Sequence, residues 1–391
     1  MAVGTLSGRD PWSGDLLHLD HADGRITTIH REPHGPGPAE VEPPHRGGGA
    51  GKAPWISAGL VDLQVNGFGG FDLNGEGVSV ETVVGLREAL RGVGVTTFVP
   101  TVITASGERM RRAVSVVAEA RRRHAEVAAA IPFVHLEGPH ISDQEGPRGC
   151  HDVAEVRAPD LAEFELCQQV SGGLVGLITV SPHWAGSAEF IAAVVASGTR
   201  VAIGHTHADA AQLRAAVDAG ASLSTHLGNG AHAQLPRHPN YLWAQLAEDR
   251  LQAGFIADGH HLPVDTFVAM VRAKGIERSF LVSDSVAVGG QAPGNYSSTT
   301  GGDVELTDDG RLLVRGTPYL AGAAAPLADG VAWAAGAFSL ADALTMATVN
   351  PARIINSTRM IPVAERLQPG TRISDVITFD WQPGDRTLSF R

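Results

Sequence analysis

The feature that most constrains this chain is an alternation repeated eight times. Short apolar runs at 60–66, 93–100, 132–137, 174–180, 200–205, 221–226, 252–258 and 279–284 have the length and residue content of buried strands. Most are followed by a stretch with helical spacing of apolar residues, at 81–91, 108–128, 188–196, 208–219 and 264–274. Eight such units over about 290 residues have the count and size of a (β/α)8 barrel. A doubly wound open sheet is the competing arrangement, and the strand count favours the barrel.

The two flanks have a different texture. DLLHLDHADGRITTIHR, at 15–31, shows apolar alternation on either side of Asp23-Gly24, which reads as a hairpin turn. A Gly/Pro-rich stretch at 33–54 reads as an exposed loop. Near the other end, 374–380 and 386–390 are strand-like and are joined by Gln382-Pro383-Gly384-Asp385. The expectation is a small β-sandwich from 1–57 and 352–391 beside a barrel domain at 58–351. A further hairpin is expected at 301–315, after the eighth strand.

Composition removes several classes. Hydrophobic residues make up 43% and charged residues 18%, enough for a large core and too apolar for a disordered chain. No apolar run approaches the ~18 residues of a membrane span. The N-terminus lacks the basic start and apolar core of a secretory signal, so a cytoplasmic location is expected. Lys and Arg number 30 against 42 Asp and Glu, a net charge of −12 that speaks against a nucleic-acid partner. Two cysteines, Cys150 and Cys167, cannot make a disulfide scaffold or a Cys-rich zinc site and read as buried thiols.

Barrel active sites lie at the C-terminal ends of the strands. Those ends carry Gln64 and Asn66, Glu137, His205, His226, Asp258 and Asp284. A lone histidine at a strand end is more often a hydrogen-bonded structural residue. Two histidines and a glutamate on one rim are the donor set of a catalytic metal with an open position for water. Zinc fits best, and Fe, Mn or Co suit the same ligands. Asp284 then reads as the proton shuttle, base toward water and acid toward a leaving nitrogen. His207 mimics an HxH pair with His205, but it opens a helical stretch and is assigned to structure. His183, His232 and His238 fall in loops and carry little individually.

Taken together, ISAGLVDLQVNGFGG (56–70), HLEGPHIS (135–142), GHTHA (204–208), THLGNG (225–230), FIADGHHL (255–262), LVSDS (281–285), LAG (320–322) and NPAR (350–353) resemble the N-acetylglucosamine-6-phosphate deacetylase family of the amidohydrolase superfamily. The match runs in order over nearly the whole chain. It implies a metal-dependent (β/α)8 barrel with a small β-sandwich built from both termini. Many amidohydrolases open with HxH on strand one and bind a second metal there. Gln64 and Asn66 occupy those positions, which implies one divalent ion held by Glu137, His205 and His226, with Asp284 as the catalytic aspartate.

The resemblance also implies substrate contacts. His261, Arg237, Asn229 and Gly230 match the family's phosphate site, with Arg237 crossing from the neighbouring subunit of a homodimer. His151 matches a sugar-hydroxyl contact. The residues after His226 read Gly228-Asn229-Gly230-Ala231 where the family has Y-N-A-M, and Ala323 stands where it has serine. These departures surround the substrate and leave the metal ligands intact. The implied activity is hydrolysis of the acetamide of N-acetylglucosamine 6-phosphate. The rivals are a deacetylase of an unphosphorylated or different N-acyl amino sugar, and an inactive sugar-sensing homologue.

Overall fold

The computed structural model describes residues 3–33, 53–358 and 362–391. The exposed loop expected at 33–54 lies, apart from its two ends, outside the described residues.

Eight parallel strands form the barrel: β1 (Leu60–Val65), β2 (Val95–Ile103), β3 (Val134–Glu137), β4 (Val175–Val180), β5 (Arg200–Ile203), β6 (Leu223–Ser224), β7 (Gln252–Ile256) and β8 (Ser279–Val282). Each pairs with the next in sequence order, as successive right-handed βα units require. Val61, Leu63, Val99, Phe133, Leu177, Ala202, Leu223, Ile256, Phe280 and Val282 fill the interior in one cluster. Helix Asn350–Asn356 adds Ala352, Ile354 and Ile355 to that cluster, so the barrel is a packed core and not a pore.

β1 and β8 meet at a seam held by few bonds. Asp284 N donates to Gln64 O at 3.0 Å, and Asn66 N donates to Ser285 O at 2.8 Å. Below them the buried Asp62 carboxylate accepts from the backbone N–H of Gln64 at 3.2 Å and of Ser283 at 3.1 Å. Burial pushes Asp62 up to about 7. The seam therefore closes directly beneath the residues proposed for chemistry.

The helices follow their local signals. Helix Val80–Gly92 starts at a capping box of Ser79 and Thr82 and buries Val80, Val83, Leu86 and Leu90 toward the barrel. The stretch at 108–128 is two helices, Gly107–Arg123 and Ala125–Ala130, because His124 takes extended backbone between them and Val127 and Ala130 turn into the core. The helix expected from 208 starts at Ala210, where Asp209 and Gln212 form its capping box. His207 is thus a loop residue.

Strands from both flanks join in a six-stranded sheet, in the order Thr387–Phe390, Val376–Gln382, Trp55–Ala58, Val3–Arg9, Leu16–Ala22, Arg25–Glu32. Asp23 and Gly24 have φ of 51° and 74°, the left-handed pair of a tight hairpin turn. Leu17, Leu19, Ile26 and Ile56 form this sheet's own core. After β8, Gly294–Ser298, Gly302–Leu306 and Leu312–Val314 make a three-stranded antiparallel sheet, one strand more than the expected hairpin. Among the described residues no helix is long and apolar enough to cross a membrane.

Candidate active site and metal centre

Four side chains stand at matching places on the barrel rim. Glu137 is the last residue of β3, and His205, His226 and Asp284 each lie two residues beyond β5, β6 and β8. Parallel pairing puts these ends side by side, with Thr179 opposite Glu137 and Ile203 opposite Ser224. His205, His226 and Asp284 have φ of 47°, 22° and 51°. The left-handed region costs a non-glycine residue about 1–3 kcal/mol, and such strain persists where the surroundings enforce it.

His205 Nε2, His226 Nε2 and Glu137 Oε1 form a triangle with edges of 3.2, 3.3 and 3.0 Å. All three residues are buried. Ligands at about 2.0–2.1 Å around a tetrahedral ion stand roughly 3.3 Å apart, so the triangle has the size of one metal's face. Its chemistry fits too. His205 Nδ1 lies 2.8 Å from Pro147 O, to which it donates, which leaves Nε2 with its lone pair. Burial works to raise Glu137, and the two imidazoles beside it more than offset that, holding the carboxylate well below its ordinary range. Three acceptor atoms converging in a buried site call for a cation between them.

Small residues clamp the His205 ring. A Cβ on Gly230 (φ +55°) would stand 2.8 Å from His205 Nδ1, and one on Gly149 3.3 Å from Cε1. The His151 ring meets His205 edge-on at 4.5 Å between centroids.

Gln64 and Asn66 are wired to the carboxylates. Gln64 Nε2 donates to Glu137 Oε1 at 2.8 Å and to Asp284 Oδ1 at 3.0 Å, so one amide bridges two anions. Asn66 Nδ2 donates to the same Asp284 oxygen at 2.8 Å. Burial, then the nearby Glu137 carboxylate, pushes Asp284 up to about 6. A cation on Glu137 opposes that push.

A cavity of about 330 Å³ opens over these residues, and His151, Asn229, Gly230 and His261 also line it. His261 Nδ1 is 2.6 Å from Asp258 Oδ2, which explains the aspartate at the seventh strand end. The buried His151 Nδ1 and Asn229 Nδ2 have no partner among the described residues. Arg237 is exposed on the loop after β6 and lines neither this cavity nor its neighbour.

Sequence reasoning passed over that neighbour, a cavity of about 960 Å³ sharing Ile103, Gly149, Cys150, His151, Tyr319 and Leu320 with the first. It brings Arg109 and Arg148 to the mouth. Arg148 lies six residues before Ala154 in a Gly/Pro-rich loop, and nothing in its spacing marks it. Cys167 is buried as expected, whereas Cys150 is half-exposed on the cavity wall.

Residues 55–360 match the amidohydrolase family. The chain is 36% identical over 318 residues to an N-acetylgalactosamine-6-phosphate deacetylase of Shewanella sp. strain ANA-3, covering 80% of this chain and 77% of that protein. It is 30% identical over 305 residues to the N-acetylglucosamine-6-phosphate deacetylase of Haemophilus influenzae, covering 77% of each. A solved structure of N-acetyl-D-glucosamine-6-phosphate deacetylase from Mycobacterium smegmatis, in complex with N-acetyl-D-glucosamine-6-phosphate, matches with a TM-score of 0.82 at 28% identity, over 99% of this chain and 97% of that one.

Proposed function

The chain belongs to the amidohydrolase family, and we propose that it hydrolyses the acetamide of an N-acetylated amino-sugar 6-phosphate, with N-acetylglucosamine 6-phosphate as first choice. The products are the amino-sugar phosphate and acetate. The observation that carries this reading is the acceptor triangle of Glu137, His205 and His226 with Asp284 on the adjoining strand end.

A single divalent ion on those three ligands, with zinc the best fit and Fe, Mn or Co as alternatives, supplies carbonyl polarisation and an acidified water. The chain's own groups do the rest. Asp284 Oδ1 is occupied by the amides of Gln64 and Asn66, so Oδ2 takes the proton from water. The same oxygen returns it to the nitrogen as the C–N bond breaks and acetate leaves. Gln64 offers these carboxylates amide hydrogens and no metal-binding imidazole, which supports a centre that would hold one ion. The unpartnered His151 Nδ1 and Asn229 Nδ2 are available to sugar hydroxyls or phosphate. His261, its Nδ1 held by Asp258, faces the phosphate together with the Asn229 side-chain amide, and Gly230 adds its backbone N–H. In a homodimer Arg237 reaches the partner's phosphate. The enzyme acts in the cytoplasm on a small molecule, without nucleic acid or membrane.

A second reading, the C4 epimer N-acetylgalactosamine 6-phosphate, is favoured by the Shewanella relative. Acetate release from both hexosamines, with and without the 6-phosphate, tests the proposal. Preference for a phosphorylated sugar is expected. Arg237→Ala should raise KM for that sugar at least tenfold and leave the unphosphorylated one unchanged. Equal turnover with and without phosphate, or no acetate from any, overturns it. Mixing Arg237→Ala with Asp284→Asn subunits should restore activity if the arginine crosses the interface. If Arg148→Ala carries the KM effect instead, the phosphate is read within one chain.

A further inference from the structure

Beside the catalytic rim, a second group of ligand-type side chains converges. Asp143, His183 and His207 bring one ligand atom each to within 4.8 Å of one another. They come from the loops after β3, β4 and β5. None of them lines either cavity at the barrel mouth.

We propose that these three residues bind a second, non-catalytic divalent ion of the zinc, cobalt or nickel class, which ties the three loops together. The donor set decides the class: two imidazoles and a carboxylate suit a borderline transition ion, whereas Mg2+ and Ca2+ take oxygen ligands. The two imidazole rings lie 4.0 Å apart between centroids and tilt by 41°.

Each ring is also oriented as ligands are. Ser181 Oγ lies 2.6 Å from His183 Nδ1, and Ser142 Oγ lies 2.6 Å from His207 Nδ1. Both serines are fully buried. Ser181 gives its own proton to Thr206 Oγ1 at 2.7 Å, so toward His183 it accepts, and that imidazole carries its proton on Nδ1. The tautomer leaves His183 Nε2 with a lone pair for a metal. Two side chains stacked for packing alone would not each need a buried hydroxyl at the same ring atom. Asp143 is exposed and is the ligand that swings in when an ion arrives.

The site's place gives it a role. Asp143 opens the segment that continues through Glu145, Gly146, Arg148, Gly149, Cys150 and His151, all on the wall of the larger cavity. Ser142 N donates to His205 O at 2.8 Å, which fixes the start of that segment to the catalytic rim. An ion at the outer site holds this wall in place from outside. The inference does not rest on the deacetylase reading.

The test is metal stoichiometry. Full-length protein stripped of metal and reloaded with Zn2+ or Co2+ should hold two ions per chain. The double variant His183→Gln/His207→Gln should hold one, and His226→Gln should also hold one, at the outer site. Asp143→Asn, an exposed change that leaves the fold alone, should weaken the outer ion at least tenfold in a chelator competition. Limited proteolysis of wild type within 143–152 should slow when the second equivalent is added. Wild type that binds a single ion, or a double variant that binds as many as wild type, overturns the proposal.

Discussion

Glu137, His205 and His226 stand on barrel strands or two residues beyond them, whereas Asp143, His183 and His207 hang from loops. The inner trio is 2–7% exposed; in the outer trio Asp143 is open to solvent and both imidazoles are half-buried. Backbone fixes the inner ligands: left-handed φ at His205 and His226, and glycines against the His205 ring. Serine hydroxyls fix the outer ones. The contrast teaches that a rigid strand end can hold unpaired acceptors together before any ion binds. A loop cluster leans instead on side-chain hydroxyls to orient its rings.

The largest expected effect separates chemistry from binding at the inner site. Asp284→Asn should keep the metal and the fold and lose roughly 10²–10⁴-fold in kcat, the worth of a positioned acid/base. Near-normal kcat would remove Asp284 from the proton path and leave the inner cluster a binding site like the outer one.

Next comes a pair of substitutions that should act on opposite clusters. Gly230→Ala drives a methyl into His205 and should weaken the inner ion roughly 10–100-fold, sparing the outer. Ser181→Ala should weaken the outer ion about tenfold and spare the inner. Competition against a chromogenic chelator reads both. If either substitution weakens both ions alike, the two clusters are one coupled unit and the comparison fails.

The smallest effect concerns pH. Asn66 donates to the Asp284 carboxylate, so it favours the charged form. Removing it in Asn66→Ala raises Asp284, and the acid limb of kcat/KM should move up by about one pH unit or less. A limb that stays put, or moves down, would mean that Asn66 does not tune the shuttle.

Much of this was legible in the residues. All eight barrel strands were, because a parallel strand buried on both faces writes itself as a nearly continuous apolar run, as at 174–180, where only Thr179 is polar. The strand-end polar residues stood out against those runs, and the cavity gathers Glu137, His151, His205, His226, Asn229, Gly230, His261 and Asp284. Arg237 is the predicted contact that a single chain leaves outside. What stayed hidden depends on three-dimensional return. No local signal brings His183 to His207, since their loops follow different strands. Histidine and aspartate adopt left-handed backbone more often than most residues, but nothing in the sequence singles out His205, His226 and Asp284 among their kind. The break at His124 lacks a glycine or proline to mark it. Lys274, one of two lysines in the sequence, is fully buried and donates to Gln245 O at 2.8 Å and Glu248 O at 2.7 Å.

The six-stranded sheet has a consequence in time. Strand Trp55–Ala58 leads directly into β1, and its antiparallel neighbour Val376–Gln382 leaves the ribosome only after all eight barrel strands. Until then that edge of Trp55–Ala58 is a row of open backbone donors and acceptors, exposed to any passing strand. The register Ala58–Val376 thus makes completion of the sheet a late step in synthesis. A nascent chain stalled before residue 376 should be cleaved by protease around 55–58, and release of the finished chain should protect it.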